Sequence, residues 1–446
     1  MTDSCRTRRD FLKGAALAPV GLAALSAEGS VLAQARELHL TAGGAGSRSG
    51  VSWQHAFAAA QLQTVVNETM EPGDRLLVGG GTYRGVALVV SRGGEPGYDK
   101  QIVGVDLGEG LPRLCGDWSV ERPAVGHTAI RIEAGVSHVT LRGVRIQGYR
   151  IGVHAPAVPG GAARTHLRLD DVRIEQARYG LHLANCDDVQ LRDCVVRRYT
   201  KHGFRFEQGC DRVTLRRCIA DCSEGDPSWE ARTELLPFGF FLNTSSIPHS
   251  AFLFEHCVAR NNMMPLQQAS FKNGDGFVVE RSASGVRFVG CRSLRSQDGG
   301  FDLKARDVRL TDCVAVGNSR GFRLWSAGVL RNCFAGWGNV GLWVNGGPVR
   351  AYRCTFHEMA DAAVVTDDAA EQGTTLVDCL VTAAAAQRNT GRGTVTFQGT
   401  VVLADSDDAR YPRPARDWDG LGNHMDSARH PHKGYRSTLR SNSQSG

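Results

Sequence analysis

Asp275 stands in the turn-like stretch Asn273-Gly274-Asp275-Gly276-Phe277, and Asp298 and Asp302 stand in Ser296-Gln297-Asp298-Gly299-Gly300-Phe301-Asp302. Carboxylates gathered from two similar turns are hard oxygen ligands, which suit Ca2+. Asn, Asp and Gly are also ordinary turn residues, so turn chemistry alone is the competing reading. Lys304, Arg323, Trp325 and Trp343 follow within the next few dozen residues. Cations and indoles beside carboxylates suit an acidic sugar, whose uronate groups meet the charges and whose pyranose face lies on a ring. The alternative is a salt-bridge cluster on a solvated sheet.

Residues so far apart in sequence meet only if a repeat stacks them, and a repeat is visible. Cys194, Cys218, Cys257, Cys291, Cys313, Cys333, Cys354 and Cys379 each close a fragment such as LRDCVV, LTDCVA or LRNCFA, and Val144 and Val172 hold the same place in earlier fragments. A slot that alternates Cys with Val is small, apolar and buried. The cysteines are therefore expected as free thiols stacked inside, not as disulfides. A second motif recurs once per repeat, as in Gly180-Leu181-His182, Gly203-Phe204-Arg205, Gly276-Phe277-Val278 and Gly321-Phe322-Arg323. It opens a short alternating segment, the signature of a strand with one face in and one out.

Most repeats are about 20–25 residues long with no helical pattern, which predicts a β-solenoid. The expected fold is all-β: a single-stranded right-handed parallel β-helix of about eleven coils over residues 129–404. Stacking the repeats gives two outward columns. The first reads His182, Arg205, Phe241, Val278, Asp302, Arg323, Trp343. The second reads Ala184, Glu207, Asn243, Glu280, Lys304, Trp325, Asn345. Arg205, Trp325 and Trp343 are the substrate-binding candidates, and Asp275, Asp298 and Asp302 the metal candidates. His154, His182 and His202 read as surface or turn histidines. Cys186 and Cys210 read as a minor column.

Solenoid ends need caps. Ser52 to Met70 is apolar at helical spacing, with Ser52 as a plausible N-cap, and predicts a capping helix within a segment 36–128 that leads into the first coils. Residues 405–446 are polar and aperiodic and are expected to form a loosely attached, flexible tail. Residues 1–35 read as an export signal: Arg8-Arg9 with Phe11-Leu12-Lys13, an apolar stretch from Gly14 to Leu25, then Ala33-Gln34-Ala35. The pair of arginines resembles the twin-arginine type and implies a periplasmic or extracellular protein. The 446 residues are 42% hydrophobic and 22% charged, enough for a core. A formal charge of +6 gives no nucleic-acid footprint, and the sequence has no apolar run long enough for a membrane span.

The stretch from Asn273 to Arg323 resembles the family 9 polysaccharide lyases, the pectate lyase-like β-helices. The matching motifs are Asp275-Gly276-Phe277, Cys291 through Asp302, and Gly321-Phe322-Arg323-Leu324. The resemblance implies calcium-assisted β-elimination of an acidic polysaccharide such as pectate. It implies that Asp275, Asp298 and Asp302 bind calcium and that Arg323, at the position of the family's lysine, acts as base, with Lys304 as the fallback. Gly299 replaces the second aspartate of the family's pair, and an arginine normally stays protonated. Two other functions remain open: a β-helical glycoside hydrolase, for which Glu207 and Glu280 are poorly placed, and a non-catalytic glycan-binding or scaffold protein. The enzyme is expected to act as a monomer.

Overall fold

The computed structural model describes residues 35–122, 124–222, 236–263, 273–367, 373–389, 393–403 and 433–436. Short strands pair in parallel with the strand one coil below and one coil above. They form three faces. Face A runs from Glu37–Thr41 to Val395–Gln398, face B from Thr82–Arg84 to Val401–Leu403, and face C from Leu88–Val90 to Gln387–Asn389. Parallel neighbours joined by crossovers wind right-handed, and the coil is a right-handed parallel β-helix, as expected. From Ser137–Arg142 onward, face A carries the eleven strands that the repeat implies, and Glu37–Thr41, Arg75–Gly79 and Lys100–Val105 add three coils below them.

The cysteine slot sits at the corner between faces A and B. All eight ladder cysteines are fully buried free thiols, and Val144 and Val172 are buried in the same column. Each ladder residue is preceded by a residue in the left-handed region: Asp171, Asp193, Arg217, His256, Asp312, Asn332, Arg353 and Asp378, or Gly143 and Gly290. Left-handed backbone turns the chain sharply, and Asn, Asp and Gly tolerate it best. The fragments LRDC, LRNC and LVDC therefore encode a corner followed by a buried thiol. Cys186 and Cys210 are buried as well.

On face C the inward residues of the Gly-Phe segments stack ring on ring. The centroid distances are 4.7 Å for Phe204–Phe240, 4.8 Å for Phe240–Phe277, 4.7 Å for Phe277–Phe301 and 5.1 Å for Phe301–Phe322. The preceding glycines carry no side chain because the next coil leaves no room. A Cβ on Gly276 would lie 2.1 Å from Ser293 Oγ, and one on Gly300 2.6 Å from the Gly321 carbonyl oxygen.

The ends differ from expectation in two respects. The predicted helix over Ser52–Met70 is broken. Trp53–His55 is one short turn, Phe57–Ala58 is a strand, and helix proper begins at Ala59 and passes through α and π turns to Thr69. Ser52 makes no capping hydrogen bond, whereas the Ala58 amide donates to Gln61 Oε1 at 3.0 Å. The apolar spacing was right nonetheless, because Leu62, Val65, Val66 and Met70 pack into the core. The second correction concerns the tail. Lys433–Arg436 docks on the coils: Tyr435 is buried beside Leu294, Val314, Val316 and Phe334, and its amide donates to Thr355 Oγ1 at 2.8 Å. Tyr435 is one of several apolar residues scattered without a period through this segment, so nothing singled it out. Of the segment read as an export signal, residues 1–34 lie outside the described residues. Among the described residues no helix is long and apolar enough to cross a membrane.

Candidate functional site

The first outward column forms as the repeat dictates. His182, Arg205, Phe241, Val278, Asp302, Arg323 and Trp343 occupy one register position in successive coils of face C, with His154 and Arg131 continuing it below. Chemistry gathers at two levels of this column. Three register steps separate Arg205 from Asp302, on the order of 14 Å at the ~4.8 Å strand spacing.

The upper level holds the residues singled out by motif. The Ser296–Asp298 turn is held by Asn318, whose Oδ1 accepts from the Ser296 amide at 2.8 Å and whose Nδ2 donates to the Ser293 carbonyl at 3.0 Å. Asp298 Oδ1 accepts from Arg320, and its Oδ2 accepts from Arg323 at 3.2 Å. Asp302 Oδ1 accepts from Trp325 Nε1 at 2.6 Å, and Asp302 Oδ2 lies 3.0 Å from Lys304 Nζ. Lys304 also bonds Glu280 at 2.7 Å. The Arg323 guanidinium lies over both indoles, 4.5 Å from the Trp325 ring and 4.7 Å from the Trp343 ring. The cluster is thus a closed ion-pair and cation–π network, the arrangement named above as the alternative to a sugar patch.

Two substrate and base assignments change as a result. Trp343 is only 9% exposed and packs on Val340, Ala362 and Val365, so its ring covers Arg323 and is not offered to a sugar. Lys304 is partly desolvated, which favours the neutral amine, but Asp302 and Glu280 outweigh this and raise its pKa. Its ammonium is held charged, the reverse of what a general base needs.

The oxygen donors available to a calcium ion are those of Asp275, Asp298 and Asp302. Asp275 is 1% exposed, and its Oδ1 accepts from the Gly299 amide of the coil above. Burial, then Asp302 and Asp298, raise its pKa well above the ordinary carboxylate value, which favours the neutral acid. Asp298 and Asp302 already face Arg320, Arg323 and Lys304. A side chain at Gly299 would begin 2.9 Å from Asp275 Oδ1, so the absent ligand would require the Asp275 carboxyl to shift. Among the described residues no three His, Cys, Asp or Glu side chains form a metal-holding group. A buried carboxyl pushed toward its neutral form and two carboxylates already paired with cations do not fit Ca2+.

The lower level joins Arg205, a substrate-binding candidate, to histidines that read in sequence as surface or turn residues. The strands Arg145–Ala155, Arg173–Ala184 and Val195–Glu207 bring His154, Tyr179, His182, His202, Arg205 and Glu207 together. His202 is not a surface residue; it is 2% exposed, stacked on Phe238 at 5.3 Å. His182 Nε2 lies 2.6 Å from Glu207 Oε2, and Glu207 Oε1 accepts from Arg205 and from Asn243 Nδ2, the latter at 2.6 Å. The Tyr179 ring is 5.6 Å from His182 and 5.5 Å from His202, and Arg178 and Arg205 each lie 5.7 Å from its centroid. Burial favours the protonated acid of Glu207, but His182 and Arg205 outweigh it and hold the group ionised. Burial, with neighbouring cations, lowers the pKa of His202 and brings that of His154 down to about 4, so both rings are neutral at neutral pH. The legible signal was the alternation itself, because His182 and Glu207 each stood in an outward column.

A family model described as right handed beta helix region matches residues 124–348. Among solved structures, the A-module of the mannuronan C-5 epimerase AlgE6 from Azotobacter vinelandii is 16% identical over 77% of this chain and 94% of that chain, with a TM-score of 0.57. Pectate lyase Pel9A is 15% identical over 92% of this chain and 90% of that one, with a TM-score of 0.38. An alginate lyase from Paenibacillus sp. str. FPU-7 is 13% identical over 83% and 99%, with a TM-score of 0.42. At these identities the likeness is one of fold. No curated protein matches the chain.

Proposed function

The chain belongs to the right-handed β-helix family, and from that premise we propose that it is an exported lyase that cleaves an acidic, uronate-containing polysaccharide by β-elimination. It acts as a monomer in the periplasm or outside the cell. This reading keeps the substrate class and reaction implied by the resemblance to family 9. It sets aside the calcium-and-lysine machinery, because the aspartates carry cations and Lys304 is held charged.

The observation that supports it is the lower cluster of face C. A histidine backed by a carboxylate and a neighbouring tyrosine lie beside Arg178 and Arg205, and Arg131 and Arg150 are near His154. A uronate carboxylate bound by these guanidiniums would lose part of its charge, which acidifies the proton at C5. Tyr179 and His182 are the groups placed to move protons. One takes the C5 proton, its electron pair forms the C4–C5 double bond, and the C4–O bond breaks. The leaving oxygen receives a proton from the other or from water. Glu207 orients the His182 ring, neutral His154 stacks on that ring at 4.9 Å, and neutral His202 meets the Tyr179 ring edge-on at 5.5 Å. Arg323 and Trp325, farther up the same face, flank the path of a long substrate.

The test is ultraviolet absorbance of the unsaturated product from pectate and alginate, with Tyr179→Phe and His182→Gln beside the wild type. Each substitution is expected to lower kcat at least about a hundredfold. Reducing ends without the absorbance would instead indicate a glycoside hydrolase, and binding without cleavage a glycan-binding scaffold. Full activity in both variants would remove the lower cluster from the chemistry.

A further inference from the structure

Face B of the same coils carries a groove of ≈ 670 Å³ that the proposed chemistry does not use. Arg113, Arg145 and Arg173 occupy one register position in three successive coils, and Arg197 stands one coil higher, in register with Glu175. Like charges directly across a strand pair repel, so such a ladder asks for a counter-charge. Asp171 supplies one. It lies 2.8 Å from Arg145 Nη2 and 3.3 Å from Arg173 Nε. Arg113 and Arg197 form no ion pair among the described residues, although Glu109 and Glu175 also line the groove.

We propose that this groove is a second, non-catalytic site for a linear polyuronate, separated from the face C cluster by the corner at Gly148, where φ is +69°. The spacing and the mixture of groups argue for that ligand. Coils rise by ~4.8 Å, on the order of one pyranose, so a polymer with one carboxylate per sugar can place an anion at successive guanidiniums. Glu109, Glu175 and Gln147 accept hydrogen bonds from sugar hydroxyls. Four arginines against Glu109, Glu175 and Asp171 leave a small positive excess, too little for a polyphosphate but suited to a sugar acid. The ligand class rests on the polyuronate reading above; the existence of the site does not.

The experiment compares the full chain with the double variant Arg113→Gln/Arg197→Gln, whose side chains form no ion pair among the described residues. Binding of polygalacturonate is measured by titration calorimetry at two salt concentrations, with dextran as the uncharged control and a uronate trisaccharide as the turnover substrate. Polymer affinity is expected to fall about tenfold, the loss of one to two charge-assisted contacts. The remaining affinity should depend less on salt, and trisaccharide turnover should be unchanged. Unaltered polymer affinity would overturn the proposal, as would an equal loss in trisaccharide turnover, which would place these arginines in the active face. If the chain turns over no uronate at all, the lyase reading fails while the binding comparison still decides this one.

Discussion

Asp275 is buried with the Gly299 amide as its hydrogen-bond donor, and burial with nearby Asp302 and Asp298 raises its pKa. A carboxyl whose folded pKa exceeds its unfolded value contributes stability that is fully present below the unfolded pKa. That stability is lost as pH rises through the folded pKa. Asp275→Asn copies the neutral acid without the titration. The variant is therefore expected to melt above the wild type in mildly alkaline buffer, with the gap closing in acid. A melting difference independent of pH would contradict the account, and a variant that loses a calcium-induced stabilisation seen in the wild type would restore Asp275 as a ligand. The three aspartates, Arg323 and Lys304 were legible as neighbours because a repeat period is enough to stack them. The same columns set Glu280 beside Lys304; that the two side chains pair, and so close the site to a substrate, depends on side-chain geometry that period does not encode. His202 was misread for a related reason: outward residues on face C are covered where Phe238 stacks on them.

The corner before each ladder thiol is the element that sets the coil. Arg353 adopts a φ of 49° there and forms no ion pair among the described residues, whereas Asp and Asn at equivalent corners tolerate the conformation better. Arg353→Gly is expected to stabilise the protein by about 0.5–1 kcal/mol, read by denaturant unfolding, since relief of left-handed strain exceeds the entropy glycine loses. Destabilisation of that size would mean that the Arg353 side chain packs in a way the corner does not reveal. The corners were readable in sequence only as the residue before Cys. The broken helix at Ala59–Thr69 was less readable, since apolar spacing locates a buried face but not where the hydrogen-bonding pattern tightens or widens.

Across the whole molecule, each coil touches its neighbours alone, so stability is a sum of local stacks. Phe277 lies mid-column between Phe240 and Phe301 and also meets Phe254 and Phe288 edge-on. Phe277→Ala leaves a cavity in that stack and is expected to cost about 3–5 kcal/mol. Its thermal transition should broaden as the coils on either side lose coupling, and a sharp transition shifted by less than the smallest part of that cost would mean that the column relaxes around the gap. The same linear build is what lets one outward column carry two charged clusters about three coils apart. The central claim, that face C eliminates from polyuronates without calcium, is tested most directly by following unsaturated product from pectate and alginate in the presence of EDTA. The account predicts product at the same rate with and without the chelator; activity that EDTA abolishes and added calcium restores would contradict it.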